Sequence, residues 1–197
     1  MGLSTIILAA GQGTRMRSDL PKVLQPLAGK PLLAHVLDCA AALAADDVCV
    51  VYGHGGETVR AAFPAESLRW ALQAEQLGTG HALQQAMPDT PDANRVLVLF
   101  GDVPLLLPAT CKRLLDETPP ADLAVLTVDM DDPTGYGRVI RESGNVSCIV
   151  EEKDAGPDEK AVREINTGVM VGPASKLRAW LENLGNDNAQ GEYYLTD

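Results

Sequence analysis

One short stretch constrains the fold more than any other: the run TIIL at residues 5–8, followed directly by a loop with two glycines, Gly11 and Gly13. Clustered β-branched residues without polar alternation predict a strand that is buried on both faces, as strands of parallel sheets are. Glycines after the strand allow a sharp turn and let backbone N–H groups approach a ligand closely. The stretch therefore predicts an α/β sheet with a ligand-binding loop at one edge.

The same pattern of a buried strand, a glycine-marked exit and a helix recurs along the first 130 residues. Strands alternating with helices predict a Rossmann-like, mostly parallel sheet with helices on both faces. Such folds bind ligands beyond the carboxyl ends of their strands, so the exits Gly11, Gly53, Gly78 and Gly101 are expected to share one edge. The predicted strands are 47–53, 68–73, 95–100 and 123–128, and the predicted helices are 32–45, 57–63, 79–87 and 109–117, with Thr79 as a candidate N-cap.

The pattern changes after residue 129. Residues 136–141 and 146–151 flank Ser143, Gly144 and Asn145, which predicts a β-hairpin with a tight turn. A further strand at 164–172 and an amphipathic helix at 173–184 follow, whereas residues 21–31 are expected to form an irregular connection. Because no repeat or linker divides the chain, we expect one domain over residues 1–197, with the hairpin as an insertion.

Composition excludes several classes of protein. A net charge of −11 over 197 residues argues against general binding to nucleic acid or to anionic membranes. No apolar run has the length of a membrane span. The four cysteines, Cys39, Cys49, Cys111 and Cys148, show no CxxC pair and lie in apolar surroundings, so we expect buried free thiols. A cytoplasmic enzyme is the expectation.

Two cations follow the first glycine loop, and both could neutralise phosphate oxygens. Arg15 offers a planar fork of donors, and Lys22 offers a mobile point charge. The loop matches neither the GxxxxGK[ST] nor the GxGxxG nucleotide motif. An ordinary turn with a solvated arginine is the alternative, and it would be preferred for an isolated GxG. The two cations behind a buried strand favour a phosphate-binding loop.

Polar side chains at other strand ends complete a candidate site. Asp102 directly follows a predicted strand and could bind Mg²⁺, although turn aspartates are common. Gln73 and Gln76 carry amides that could read a base edge such as uracil, and solvation at a helix start explains Gln76 equally well. Glu151 and Asn166 could bind sugar hydroxyls or an amide, although each alone would more often be a surface residue.

No arrangement typical of a hydrolase is visible in the sequence. A Ser-His-Asp order, a paired-carboxylate signature and a conspicuous nucleophile are all missing. Phosphoryl-transfer chemistry needs little beyond positioning and charge neutralisation. The pattern therefore favours a transferase.

Five motifs, taken together and in order, carry a resemblance to a known family. The chain resembles the uridyltransferase half of the bacterial bifunctional GlmU family over nearly its whole length, whereas the first motif alone is shared by sugar nucleotidyltransferases in general. The motifs are LAAGQGTRM with PKVL, QAEQLGTGHA, GDVP, DPTGYGR and QGEYY, at residues 8–16, 21–24, 73–82, 101–104, 132–138 and 190–194.

The resemblance implies a GT-A-like nucleotidyltransferase fold and a Mg²⁺-dependent reaction. UTP and N-acetylglucosamine 1-phosphate would give UDP-N-acetylglucosamine and pyrophosphate, for peptidoglycan and lipopolysaccharide precursors. By position, the catalytic residues would be Arg15, Lys22 and Asp102, with Asp102 as the metal ligand. The substrate-binding residues would be Leu8, Ala9, Ala10, Gly11, Lys22, Gln73, Gly78, Thr79, Phe100, Gly101, Asp102, Gly137, Glu151 and Asn166.

The chain departs from the family in one respect. Family members continue to an asparagine that is a second Mg²⁺ ligand, and then to a left-handed β-helix acetyltransferase domain that forms homotrimers. We therefore expect a truncated nucleotidyltransferase (pyrophosphorylase) domain that binds Mg²⁺ weakly and turns over slowly. The alternatives are a nucleotidyltransferase of other base or sugar specificity and a non-catalytic regulatory domain, and the second would be expected to lack Arg15, Lys22 or Asp102.

Overall fold

A computed structural model describes residues 2–11, 13, 16, 18–53, 56–64 and 67–197. The predicted strands of the alternating region are confirmed to within one or two residues at their ends. The strands are β1 (Leu3–Ala9), β2 (Pro26–Leu27), β3 (Lys30–Pro31), β4 (Asp47–Gly53), β5 (Leu68–Gln73), β6 (Arg95–Phe100), β7 (Ala124–Asp129), β8 (Arg138–Glu142), β9 (Asn145–Val150) and β10 (Glu164–Pro173).

Helices connect these strands, and a short 3-10 turn at Lys22–Leu24 follows the first loop. The predicted helix positions are confirmed, although α1 and α6 each end three residues earlier than predicted. The helices are α1 (Leu32–Ala42), α2 (Glu57–Ala62), α3 (Thr79–Ala86), α4 (Pro108–Glu117), α5 (Pro157–Lys160) and α6 (Ala174–Leu181).

The main sheet has the strand order β5-β4-β1-β6-β10-β8-β9, with β7 paired to β10. Strands β5, β4, β1 and β6 run parallel to one another, which confirms the predicted parallel region. Strand β10 runs antiparallel to β6 and β7 and joins this region to the β8–β9 hairpin. The carboxyl ends of the four parallel strands therefore lie along one edge.

Strand β1 divides the apolar core into two layers. Ile6 and Leu8 face a cluster that includes α3 and α6, whereas Ile7 and Ala9 face a cluster that includes α1 and α4. Successive side chains of a strand point to opposite faces, so a strand covered by helices on both sides is mostly apolar, and β1 also buries Ser4 and Thr5 at its start. Burial of β1 on both faces confirms the layered fold expected from its sequence.

The predicted hairpin turn is confirmed at Ser143 and Gly144, whose φ angles are 50° and 86°. Positive φ at two central residues is the geometry of the tight turns that suit the twist of a hairpin. Residues 21–31, predicted to be irregular, instead contain the 3-10 turn and the β2–β3 hairpin, with Ala28 and Gly29 also at positive φ. Strands of two residues are too short to show an alternating pattern, which explains why this hairpin was missed.

The expectation of buried free thiols is correct for three of the four cysteines. Cys39, Cys49 and Cys111 are free and buried, and burial raises the pKa of each thiol. Cys148 is also free but exposed, because it lies on β9 of the hairpin, outside the layered core. Among the described residues, no helix is long and apolar enough to cross a membrane.

Truncation of a side chain in the central strands should be costly. Leu97 of β6 is 0% exposed, whereas Leu105 is 78% exposed. We expect Leu97→Ala to lower the free energy of unfolding by about 2–5 kcal/mol, because it leaves a cavity in a packed layer. Leu105→Ala, the matched control, should change it by less than about 0.5 kcal/mol. Urea unfolding followed by circular dichroism measures both, and equal effects would contradict the assignment of the core.

Candidate active site

A cavity of about 460 Å³ opens at the carboxyl edge of the parallel strands. Residues after β1, β5 and β6 meet there with the start of α3, which is the placement expected for a ligand site in an open α/β sheet. The cavity is lined by Leu8, Ala9, Ala10, Gly11, Gly13, Lys22, Val23, Gln73, Gln76, Gly78, Thr79, Ala82, Phe100, Asp102 and Glu192.

A second, smaller cavity of about 210 Å³ adjoins the first. Thr79 and Phe100 line both cavities, so the two spaces meet at these side chains. Strand β10 and the residues that flank the β8–β9 hairpin supply most of the remaining wall. The other lining residues are Gly135, Tyr136, Gly137, Glu151, Asn166, Thr167, Gly168, Met170, Leu195 and Thr196.

Nearly all of the predicted site residues line one of the two cavities. Gly101 lines neither, because it is buried next to Ala9, whose Cβ would lie 3.1 Å from a Cβ added at Gly101. Arg15 lies outside the described residues. The predicted residues that line the larger cavity are Leu8, Ala9, Ala10, Gly11, Lys22, Gln73, Gly78, Thr79, Phe100 and Asp102, and those that line the smaller one are Gly137, Glu151 and Asn166, together with Thr79 and Phe100.

An ion pair joins the predicted cation to the predicted metal ligand. Lys22 Nζ donates a hydrogen bond to Asp102 Oδ2, and the two side chains are 38% and 28% exposed. The loop approaches Lys22 closely, since a Cβ added at Gly13 would lie 2.5 Å from the Cβ of Lys22. Glycine at this position, where φ is 62°, therefore allows the loop to pack against the base of the lysine side chain.

The chain matches the MobA-like NTP transferase domain over residues 5–143. It belongs to that family. The match covers β1 to β8 and includes the loops that build the larger cavity. Enzymes of this family are generally dependent on a divalent metal ion, which agrees with an acidic side chain at the edge of that cavity.

Curated relatives are similar to this NTP transferase domain over almost its full length. Bifunctional protein GlmU of Azoarcus sp. (strain BH72) is 61% identical over 196 residues, which are 99% of this chain and 43% of that protein. Bifunctional protein GlmU of Burkholderia mallei (strain SAVP1) is 59% identical with the same coverage. The chain therefore spans less than half the length of these relatives, consistent with the N-terminal domain of such a protein.

Solved structures confirm the nucleotidyltransferase fold. UDP-glucose pyrophosphorylase complexed with UDP-glucose superposes with a TM-score of 0.77 at 16% identity, over 100% of this chain and 85% of that one. A Bacillus anthracis protein assigned as a glucose-1-phosphate thymidylyltransferase, in complex with a sucrose, gives a TM-score of 0.75 at 19% identity, over 92% and 75% of the two chains. At these identities the likeness supports the fold alone.

Two acidic residues, Asp102 and Glu192, line the larger cavity of the NTP transferase domain. Among the described residues, no group of three or more His, Cys, Asp or Glu side chains could enclose a metal. Mg²⁺ is commonly held by one or two carboxylates, with substrate phosphates and water completing the shell. Asp102, partly exposed at the cavity wall, fits such an arrangement and does not fit a fully protein-built metal site.

Glu151 lies in the smaller cavity in a poorly solvated position. Its Oε1 accepts a hydrogen bond from Thr196 Oγ1 at 3.1 Å, and a Cβ added at Gly137 would lie 3.0 Å from the same oxygen. Burial raises the pKa of the Glu151 carboxyl, the nearby charges of Asp197 and Asp154 raise it further, and the bond from Thr196 opposes the shift. The charged form of Glu151 is therefore destabilised by burial at the wall of the smaller cavity.

Among the described residues, the side chain of Asn166 is engaged by the protein through one polar atom. Its Oδ1 accepts a hydrogen bond from the backbone N–H of Gly168 at 3.0 Å, and its own backbone N–H donates to Gly137 O at 2.9 Å. The Asn166 side chain therefore has a fixed orientation, with the amide nitrogen remaining as a donor toward a ligand.

Sequence reasoning missed the part that residues 192–196 play in both cavities. Tyr193 N–H donates to Leu77 O at 2.7 Å, Gly80 N–H donates to Tyr193 O at 2.8 Å, and Leu195 N–H donates to Thr79 Oγ1 at 3.1 Å. Thr79 is thus not the N-cap of α3, because Gly78 occupies that position with φ 109°. The GEYY motif was visible in the sequence, but these contacts span more than 100 residues and leave no local pattern.

For Gln76 the sequence leaves two roles open, reading a base edge and solvation at a helix start. The structure places it at the wall of the larger cavity, where its Nε2 donates to Ala10 O at 2.7 Å. This bond holds the backbone at the exit of β1. The structure therefore gives Gln76 a supporting role that sequence reasoning did not anticipate.

Replacing Glu151 with glutamine should stabilise the fold at neutral pH. Because the pKa of Glu151 is raised in the folded state, the folded protein binds the carboxyl proton more tightly than the unfolded chain does. The stabilisation from this protonated carboxyl is fully present below the unfolded pKa and is lost as the pH rises through the folded pKa. At pH 7 the neutral amide avoids burial of a charge and can still accept from Thr196. We expect Glu151→Gln to unfold at a higher urea concentration than wild type at pH 7, with the difference shrinking below about pH 4.

Glu142→Gln, on an exposed position of the hairpin, is the control for this measurement. Its midpoint should follow that of wild type at every pH, within about 0.5 kcal/mol. A Glu151→Gln protein that is less stable than wild type at pH 7 would show that the carboxylate is stabilising where it lies.

Proposed function

We propose that this NTP transferase domain is an N-acetylglucosamine-1-phosphate uridyltransferase, which converts UTP and N-acetylglucosamine 1-phosphate to UDP-N-acetylglucosamine and pyrophosphate. The observation that carries the proposal is the pair of cavities that meet at Thr79 and Phe100, with the Lys22–Asp102 ion pair at the wall of the larger one. Two adjoining spaces suit a reaction that joins two substrates. Identity of 54–61% to bifunctional GlmU proteins supports this choice of substrates.

The larger cavity suits the nucleotide. In our proposal the backbone of residues 8–11 and the start of α3 hold the uridine, and the Gln73 amide reads the base edge. Lys22 would neutralise phosphate oxygens together with Arg15, whose position is outside the described residues. The protein as a whole carries a net charge of −11, so these local cations offset an otherwise repulsive field for a triphosphate.

The smaller cavity suits the amino sugar. Glu151 supplies a carboxylate that can accept hydrogen bonds from sugar hydroxyls or from the N-acetyl amide N–H, and Asn166 supplies a donor. Gly137 leaves the approach to Glu151 clear, because it has no side chain there. In our proposal these three residues hold the N-acetylglucosamine moiety.

The reaction forms one bond and breaks one. A phosphate oxygen of the sugar phosphate attacks the α-phosphorus of UTP, and the bond from that phosphorus to the bridging oxygen of pyrophosphate breaks. Lys22 can leave Asp102 and donate to the oxygens on which negative charge accumulates, an electrostatic role that needs no proton transfer. A bound Mg²⁺, held by Asp102, would supply further neutralisation of the phosphate charge.

Residues 1–197 are proposed to form the nucleotidyltransferase domain of a longer bifunctional chain in the cytoplasm. The coverage of only 43% of the GlmU relatives supports the longer chain, and free cysteines agree with a reducing compartment. An acetyltransferase domain that uses acetyl-CoA, and trimers formed through that domain, belong to the same proposal.

The decisive experiment is pyrophosphate release from UTP and N-acetylglucosamine 1-phosphate, with and without Mg²⁺, under single-turnover conditions that detect a slow enzyme. We expect metal-dependent release, and we expect Lys22→Met and Asp102→Asn each to reduce the rate by roughly 100-fold or more, since each removes charge stabilisation at the reacting phosphates. The matched controls are Lys30→Met and Asp38→Asn, which break a second Lys–Asp ion pair on the exposed surface. The controls should retain the wild-type rate.

Panels of nucleotides and sugar phosphates separate the alternatives. Faster release with thymidine or cytidine triphosphate, or with another sugar phosphate, would indicate a nucleotidyltransferase of different specificity. Binding of UTP without release for any sugar phosphate would indicate a regulatory domain.

A further inference from the structure

The Gln73 side chain is fixed by the protein from one side only. It is 3% exposed, and its Nε2 donates to Gly78 O at 3.0 Å and lies 3.1 Å from His81 Nδ1. An amide nitrogen has two N–H groups, so these two contacts use both of them. Among the described residues, no partner is found for Gln73 Oε1, and Gln73 lines the larger cavity.

The orientation of the amide follows from the nature of its neighbours. A backbone carbonyl can only accept, so the flipped amide would place Oε1 against Gly78 O and lose that hydrogen bond. His81 reinforces the same orientation when its proton is on Nε2, because Nδ1 then accepts from Gln73. His81 lies in the first turn of α3, and its ring centroid is 6.4 Å from that of Tyr193.

We propose that His81 is a positioning residue that, together with Gly78 O, makes Gln73 present only an acceptor to the base, so that the cavity selects pyrimidines with an imide N–H. Uracil and thymine carry N–H at N3, which can donate to Gln73 Oε1. Cytosine carries a lone pair at N3, so two acceptors would face each other in the same pose. The inference rests on the proposed function for the identity of the nucleotide, and it adds the residue that sets the direction of the hydrogen bond.

Two variants separate the acceptor of His81 from its packing. His81→Asn keeps an acceptor at about the position of Nδ1, whereas His81→Phe keeps a ring against Tyr193 and removes the acceptor. Dissociation constants of UTP and CTP are measured by calorimetry at fixed Mg²⁺ and salt concentrations, and their ratio is the readout. We expect His81→Phe to reduce the preference for UTP by about two- to tenfold, the value of one hydrogen bond, and His81→Asn to retain it.

The outcomes are decisive in each direction. Equal affinity of the wild-type protein for UTP and CTP would overturn the inference, as would a His81→Phe protein with the wild-type ratio. Loss of the preference in both variants would assign His81 a packing role and would also overturn it. A loss confined to His81→Phe supports it.

A measurement on the wild-type protein remains informative if a variant does not fold. Long-range ¹⁵N NMR of the His81 ring should show a proton on Nε2 and none on Nδ1, and a proton on Nδ1 would contradict the inference. The nucleotide ratio and the tautomer do not depend on turnover, so failure of the uridyltransferase proposal, seen as absent pyrophosphate release, is distinguishable from failure of this one.

Discussion

The structure depends on the burial of β1 on both faces. With β4 on one side, β6 on the other and a helical layer above and below, β1 has no exposed side chain position in its central part. A chain leaving such a strand can turn only at the sheet edge, where backbone groups after the last pair of hydrogen bonds are available to a ligand. The neighbouring strands end at the same edge, so the fold gathers their exit residues around one cavity.

At this edge of the sheet, Lys22 supplies a positive charge in a protein whose net charge is −11. An acidic chain offers a lysine many possible carboxylate partners. In the structure Lys22 is paired with Asp102 at the cavity wall. The pair keeps both groups partly solvated, so its separation costs less than that of a buried ion pair. A ligand with phosphates and a divalent cation offers a counter-charge to each partner, which lets the pair open without leaving an uncompensated charge.

Sequence reasoning succeeded where the signal is local. Apolar runs such as Arg95–Phe100, and glycine exits such as Gly53, have short-range physical causes, and the structure confirms them. It failed where contacts between distant segments decide the outcome. The partner of Thr79 is Leu195, and Cys148 is exposed on β9, the edge strand of the sheet. The small β2–β3 hairpin was missed for a different reason, since its strands have only two residues each.

The two cavities share one principle of construction. Gln73 and Asn166 each line a cavity and bind the protein through one polar atom of the amide, and the other atom has no partner among the described residues. Because an amide cannot satisfy the protein equally well in both orientations, the protein contacts decide whether a ligand meets a donor or an acceptor. Glu151 differs, since a carboxylate accepts hydrogen bonds in either orientation. Burial destabilises its charged form, which raises the pKa of the Glu151 carboxyl. In our proposal, selectivity at this site therefore depends on buried contacts behind the cavity wall as much as on the residues that line it.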